Sequence, residues 1–197
     1  VQPGGSGGAP AYVAELAVDT DHEFFLANGA DADAVVGAVT AAVDFANDAF
    51  MSGPGVMLQV TAVLVRETPD DPYASNDAAG LYGEARALWS TLDIPHDAVA
   101  VLSGKSLDGG IVGLSGLASL CTPDAIAIAA PAPVGDGFTP LILAHELGHV
   151  FGAPHCNADP DCRIMCGFLA GCAPADSFGQ PSIDAILDFI QGNGACL

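Results

Sequence analysis

The feature that most constrains this chain is a run of eleven residues, His145 to His155, with the pattern His-Glu-x-x-His-x-x-Gly-x-x-His. On a helix, His145 and His149 share one face, so both imidazoles can reach the same ion. Gly152 can adopt a positive φ and end the helix, which lets the chain turn and bring back His155 as a third ligand. Three histidines leave a fourth coordination position for water, as in catalytic zinc sites. The pattern therefore predicts one catalytic Zn²⁺.

The glutamate inside this pattern predicts what the metal would be used for. A bound Zn²⁺ lowers the pKa of its water, so that a neighbouring carboxylate can take a proton from it. Glu146 follows the first ligand, His145, directly and is the predicted general base. A purely structural zinc site conflicts with the open fourth position. The sequence therefore predicts hydrolysis assisted by a metal and a carboxylate.

The extended pattern resembles the metzincin clan of zinc endopeptidases, which place a methionine turn beneath the metal. Met165, in Ile164-Met165-Cys166, lies 10 residues after His155 and supplies that methionine. Within the clan, the chain from about residue 12 to residue 197 resembles the reprolysin (adamalysin) family. The supporting segments are similar to that family's opening strand, His-Asp segment, edge strand and last helix: residues 12–19, 95–103, 113–121 and 186–197. One departure is Cys156, where reprolysins usually have Asp after the third histidine.

The resemblance implies an α/β, metzincin-type zinc protease domain over residues 11–197. We expect a mixed twisted sheet with helices in an N-terminal subdomain (residues 11–152) and a small, irregular, disulfide-tied C-terminal subdomain (residues 153–197). The implied activity is that of a secreted zinc endopeptidase acting on peptide bonds of extracellular proteins. The alternative is a catalytically weak, protease-like zinc-binding or adhesion module. Its usual mark is loss of the glutamate, and Glu146 is present.

Hydrophobic periodicity independently predicts alternating strands and helices. The predicted strands are residues 12–18, 56–66, 98–103 and 125–130, with a Gly-rich edge strand within residues 108–118. The predicted helices are residues 31–50, 77–92, 140–150 and 182–191.

Substrate contacts are predicted at the edge strand and beyond the metal. An extended peptide can add as a strand to the exposed backbone at Gly113, Leu114 and Ser115. By family resemblance, the pocket beyond the zinc is bounded by the segment that continues from Met165. Phe168 and Leu169 there favour an apolar side chain after the scissile bond.

The resemblance also implies a calcium site and one disulfide. The expected Ca²⁺ ligands are Glu15, Asp97 and backbone at Cys196, and Cys121 is expected to pair with Cys196. Six cysteines without a CxxC pair favour disulfides and an oxidising compartment. One arrangement of the other four pairs Cys156 with Cys172 and Cys162 with Cys166. A second zinc held by these four thiolates is an alternative whose spacing does not match a zinc ribbon.

The charge balance excludes some partners. With 4 Lys+Arg against 24 Asp+Glu, the formal net charge is -20, which argues against binding nucleic acid or anionic membranes. The apolar runs 125–134 and 141–147 are shorter than the roughly 18 residues that a membrane span needs, so no membrane span is expected. Residues 1–10 (VQPGGSGGAP) are expected to form a flexible leader left after removal of a pro-segment. We expect a monomer that acts on protein or peptide substrates.

Overall fold

The computed structural model of the chain describes residues 9–132, 136–168 and 175–197. The strands in these ranges are β1 (Tyr12–Thr20), β2 (Val56–Leu64), β3 (Ala98–Leu102), β4 (Gly113–Ser115) and β5 (Ile126–Ala129). The helices are α1 (His22–Ala27), α2 (Ala32–Ser52), α3 (Ala78–Trp89), α4 (Thr139–Val150) and α5 (Gln180–Asn193).

The strands form one mixed sheet in the order β2-β1-β3-β5-β4. The pairs β1–β2, β1–β3 and β3–β5 are parallel, and β4 runs antiparallel to β5, with Leu114 opposite Ile128. The predicted mixed α/β architecture is confirmed. Because β4 is at the end of this order, one side of its backbone is not paired within the sheet.

The sheet is covered on both faces, which explains the apolar character of β3. All five residues of this strand are buried. Their side chains alternate: Ala98, Ala100 and Leu102 belong to a large core with α2, α4 and α5, whereas Val99 and Val101 belong to a smaller core with α3. A strand buried on both faces reads as a continuous apolar run rather than an alternating one.

Two elements differ from the sequence-based expectation. Helix α1 was not predicted, because its six residues are too few to show a helical period. Its N-cap is Asp21, whose carboxylate accepts a hydrogen bond from the backbone N–H of Phe24 at 2.7 Å. The expected edge strand within residues 108–118 is shortened to β4. Gly109 and Gly110 have φ values of 74° and 73°, which no extended strand adopts.

Helix α2 has the length and apolar content that a membrane-spanning helix needs. The expectation of no membrane span considered only shorter runs and overlooked this segment. In the structure one side of α2 lies in the large core through seven buried residues: Val35, Val39, Ala42, Val43, Ala46, Ala49 and Phe50. Packing within the fold therefore accounts for the apolar residues on that side.

Candidate metal centre

Helix α4 presents the first two candidate ligands, and the turn after it presents the third. His145 and His149 point the same way, with their Nε2 atoms 3.1 Å apart. The helix ends where Gly152 takes a φ of 93° and its N–H donates to the carbonyl oxygen of His149 at 2.8 Å. The chain then reverses, and Nε2 of His155 comes within 3.0 Å of His145 Nε2 and 3.1 Å of His149 Nε2.

Glycine is required at position 152 for two reasons. Its φ lies in the left-handed region that favours glycine, and a Cβ there would lie only 2.8 Å from the Cβ of Phe189 in α5. The turn that returns His155 to the helix is therefore packed directly on the C-terminal helix.

Backbone carbonyls set the tautomers of the two helical histidines. Nδ1 of His145 lies 2.7 Å from the carbonyl oxygen of Ile164, and Nδ1 of His149 lies 2.7 Å from that of Ala153. A carbonyl oxygen only accepts, so each Nδ1 carries the proton and each Nε2 is a bare lone pair. Burial lowers the pKa of His145 to about 4 and also lowers the pKa of His149, which favours neutral rings.

The three Nε2 atoms fit a small cation. Two lone pairs 3.1 Å apart with no proton between them repel each other unless a positive charge lies between. Three nitrogens bound tetrahedrally at 2.0 to 2.1 Å from one zinc would be roughly 3.3 Å apart, close to the observed spacing. In metal sites, the ring nitrogen that does not bind the ion usually donates to a carbonyl or carboxylate oxygen, as Nδ1 does in His145 and His149. Imidazole nitrogens in this arrangement suit Zn²⁺.

Glu146 points from the same helix toward strand β4. Its residue exposure is 7%, and its Oε2 accepts a hydrogen bond from the hydroxyl of Ser115 at 2.6 Å. Burial raises the pKa of Glu146 to about 7, against the opposing effect of the Ser115 hydrogen bond. A carboxyl group with such a pKa can accept and release a proton near neutral pH.

Met165 lies below the histidines and is completely buried. A Cβ on Gly148 would overlap its Sδ and would lie 3.3 Å from its Cε, so the methionine fills the space beside the bare helix backbone. Since the preceding carbonyl, that of Ile164, holds His145, the segment before and at Met165 supports the metal ligands by both packing and hydrogen bonding.

A cavity of about 250 Å³ opens beside His145 and Glu146. Its wall includes Phe168, which is 66% exposed, whereas Leu169 lies outside the described residues. Sequence reasoning missed Arg163 in the same wall; its position just before Ile164-Met165 was the available signal. Its Nε donates to Asp161 at 2.6 Å and its Nη1 to Ser177 at 2.8 Å.

The side chains of the predicted edge-strand residues face two different sides of the sheet. Gly113 lies against the carboxylate of Glu146, and Ser115 bonds to it. The side chain of Leu114 packs against the smaller core, on the side of α3. The N–H of Gly116 donates to β5, and Leu114, two residues earlier on the strand, directs its own N–H and C=O the same way. The backbone groups that face outward, toward a pairing peptide, are therefore those of Gly113 and Ser115.

The expected calcium residues are brought together only in part. Asp97 accepts a hydrogen bond from the backbone N–H of Glu15 at 2.8 Å, and its carboxylate lies within 4.8 Å of the sulfurs of Cys121 and Cys196. Those sulfurs are joined to each other, so they are not thiolate ligands. The Glu15 side chain is not part of that group among the described residues.

The structure pairs Cys121 with Cys196, Cα to Cα 6.2 Å, and Cys156 with Cys162, Cα to Cα 5.2 Å. The expected pairs Cys156–Cys172 and Cys162–Cys166 are therefore wrong. Two turns explain the short bridge: the N–H of Asp159 donates to the carbonyl oxygen of Cys156, and that of Cys162 to Asp159. Cys166 also takes part in a disulfide, and Cys172 lies outside the described residues. This pairing also contradicts a second zinc held by four thiolates.

Comparison with known proteins agrees with this geometry. A reprolysin-type model of metallo-peptidase family M12 matches residues 11–186. The chain therefore belongs to the reprolysin-like metzincins of family M12.

Two similar proteins carry a related segment. Disintegrin and metalloproteinase domain-containing protein 33 of Homo sapiens is 30% identical over 129 residues, which cover 57% of this chain and 15% of that protein. Disintegrin and metalloproteinase domain-containing protein 12 of Mus musculus is 30% identical over 118 residues, which cover 52% of this chain and 12% of that protein. The chain thus spans less than a sixth of either relative.

A solved structure described as a chaperone–substrate complex has a similar fold. Its TM-score is 0.71 at 14% identity, over 93% of this chain and 35% of that chain. At this identity the likeness shows the fold alone.

Proposed function

We propose that this chain is a zinc-dependent endopeptidase that hydrolyses peptide bonds of extracellular proteins. The observation that carries the proposal is the convergence of the Nε2 atoms of His145, His149 and His155 to 3.0–3.1 Å, next to the buried carboxylate of Glu146. Three converging imidazole nitrogens and a buried carboxylate of raised pKa are the groups that metal-assisted hydrolysis needs.

His145, His149 and His155 would hold the Zn²⁺, with the carbonyls of Ile164 and Ala153 fixing the rings of the first two. When bound, the ion supplies a Lewis acid that polarises the scissile carbonyl and acidifies a water molecule. Glu146 takes a proton from the attacking water while the water oxygen bonds to the carbonyl carbon. It then delivers that proton to the amide nitrogen as the C–N bond breaks, so no proton is gained or lost overall.

The unpaired backbone of β4 supports an extended peptide as the substrate. Strand addition to an exposed sheet edge uses main-chain hydrogen bonds, and the N–H and C=O groups of Gly113 and Ser115 face outward at that edge. Phe168 beside the cavity favours an apolar side chain after the scissile bond, and Leu169 is proposed to contribute in the same way.

The same proposal includes the location and the domain organisation of the enzyme. Its disulfides are typical of secreted or extracellular proteins. Residues 11–197 are proposed to form one catalytic domain that acts as a monomer after removal of a pro-segment.

A Ca²⁺ ion is proposed near Asp97, Glu15 and Cys196. Melting curves that coincide with and without Ca²⁺ would contradict this ion.

The replacement Glu146→Gln tests the proposed function. It keeps the shape of the side chain and removes its ability to take a proton, so we expect proteolysis of a peptide library to be lost while one zinc per chain remains. Replacement of Asp184, on the exposed face of α5, by Asn is the matched control and is expected to cleave normally. Retained cleavage in Glu146→Gln contradicts the general-base role. A wild-type chain that binds zinc and cleaves nothing favours the binding-module alternative.

A further inference from the structure

Strand β4 holds the Glu146 carboxylate at two points. The hydroxyl of Ser115 lies 2.6 Å from Oε2, and the bare Cα of Gly113 lies under the other end of the group. A Cβ at Gly113 would overlap Oε1 and lie 2.8 Å from the carboxylate carbon. Residues two apart on a strand face the same side, so one strand supplies both contacts.

The position of this strand is itself fixed. Gly113 and Ser115 pair with Ala129 and Ala127 of β5, and just outside the pair the N–H of Gly116 donates to the carbonyl oxygen of Ile126 at 3.2 Å. The carboxylate is thus held by a strand that is hydrogen-bonded into the sheet, not by a free loop.

Ser115 is also the one residue in the described part of the chain whose side chain donates a hydrogen bond to Glu146. An ionised carboxylate only accepts, so the hydroxyl is the donor. With Oε2 engaged, Oε1 is the oxygen left for a proton from water. Without this hydroxyl, no side chain in the described ranges would donate to the carboxylate, and a buried carboxylate without a donor is costly. That cost favours rotation of the group toward solvent.

We propose that Ser115 is a positioning residue for the reaction, holding Glu146 so that one carboxylate oxygen faces the reacting water. This role goes beyond strand pairing with the substrate, and it rests on the proposed function. The side chain of Ser115 acts through Glu146, whereas its backbone remains part of the edge that a peptide would pair with.

The kinetic test compares Ser115→Ala, Ser115→Thr and wild type in the zinc-loaded chain. We expect Ser115→Ala to lower kcat about tenfold with KM unchanged, because fewer carboxylates are in the productive orientation while peptide binding by the backbone persists. Ser115→Thr keeps a hydroxyl and should recover most of the rate. Ser119→Ala is the matched control, since it removes a nearby buried hydroxyl that bonds to the carbonyl oxygen of Gly116. A Ser115→Ala enzyme with wild-type kcat overturns the proposal.

A second measurement does not depend on activity. Crystal structures of wild type and Ser115→Ala, both with zinc, should show the Glu146 carboxylate ordered on Ser115 in the former and rotated away or in several conformers in the latter. An unchanged carboxylate in Ser115→Ala overturns the positioning role. If wild type cleaves no peptide yet the carboxylate moves in the variant, the proposed function fails and the positioning of Glu146 by Ser115 stands.

Discussion

The Nδ1 atom of His145 lies 2.7 Å from the carbonyl oxygen of Ile164, so the helix that carries the candidate ligands is hydrogen-bonded to the segment that holds Met165. Met165 itself is buried against Gly148 of the same helix. The orientation of the first histidine therefore depends on a residue 19 positions later in the chain.

Replacing Met165 by Ala should both destabilise the fold and weaken zinc binding. Removing this buried side chain leaves a cavity, which costs about 2–5 kcal/mol of unfolding free energy, and frees the Ile164 carbonyl to shift away from His145. Chemical denaturation and zinc titration measure the two effects. Met165→Leu, which nearly conserves volume, should cost less than about 1.5 kcal/mol.

The control for this prediction is Met51→Ala, at the half-buried end of α2. It should leave the zinc affinity unchanged. Equal losses of zinc affinity in both variants would mean that the methionine beneath the histidines has no particular role.

His155→Ala should abolish tight zinc binding without unfolding the chain. The imidazole is exposed and contributes through Nε2, so its removal leaves two nitrogens, too few for a stable site. Zinc added at about 100 times its dissociation constant should raise the stability of wild type by about 2.7 kcal/mol and leave the variant unchanged.

Zinc stoichiometry by elemental analysis and melting curves with and without zinc provide this measurement. His96→Ala is the control, because His96 makes an edge-on contact with Trp89 and is not one of the three clustered histidines. Full zinc retention in His155→Ala would exclude the third ligand assignment.

Because Arg66 pairs with the buried carboxylate of Asp19, its removal should lower the free energy of unfolding far more than removal of an exposed, paired arginine. Asp19 is fully buried and accepts two hydrogen bonds from Arg66, at 2.9 and 2.8 Å, and one from the Tyr73 hydroxyl at 2.8 Å. Arg66→Ala leaves this charge without its counter-ion, and we expect a loss of about 3 kcal/mol.

Arg86→Ala is the matched control for the buried pair. Arg86 pairs with Asp124, and both side chains are 52% exposed, so its loss should cost about 0.2–1 kcal/mol. Denaturant unfolding of the two variants compares them directly. Similar losses would contradict the dominance of burial.

The two described disulfides should differ in their effect on stability because they close loops of different lengths. Cys121–Cys196 spans 75 residues and Cys156–Cys162 spans 6. The loop-closure relation gives about 4 kcal/mol for the first bridge and about 2 kcal/mol for the second. Double replacement of each pair by Ser, followed by unfolding in denaturant, checks the order. A larger loss for the short bridge would show that strain or packing outweighs chain entropy.

Local sequence patterns were sufficient where the structure depends on neighbours in the chain. The spacing of His145, His149 and His155 with Gly152 predicts a helix followed by a sharp turn, and the structure has both, because helical period and glycine backbone freedom are local properties. The mixed α/β class also followed from alternating strand and helix patterns. The short helix α1 did not, since six residues carry too little periodicity.

Only the tertiary structure decided which distant groups meet. In the structure Ser115 is hydrogen-bonded to Glu146, 31 residues later in the chain, and Arg163 lines the cavity. Cys156 is bonded to Cys162 rather than to Cys172. None of these contacts has a periodic signal. The first two depend on how the sheet edge, helix α4 and the C-terminal segment pack in space, and the disulfide depends on the turns between its two cysteines. The sequence by itself determined the candidate ligands and the glutamate beside them. The fold decided what orients that glutamate and what borders the cleft.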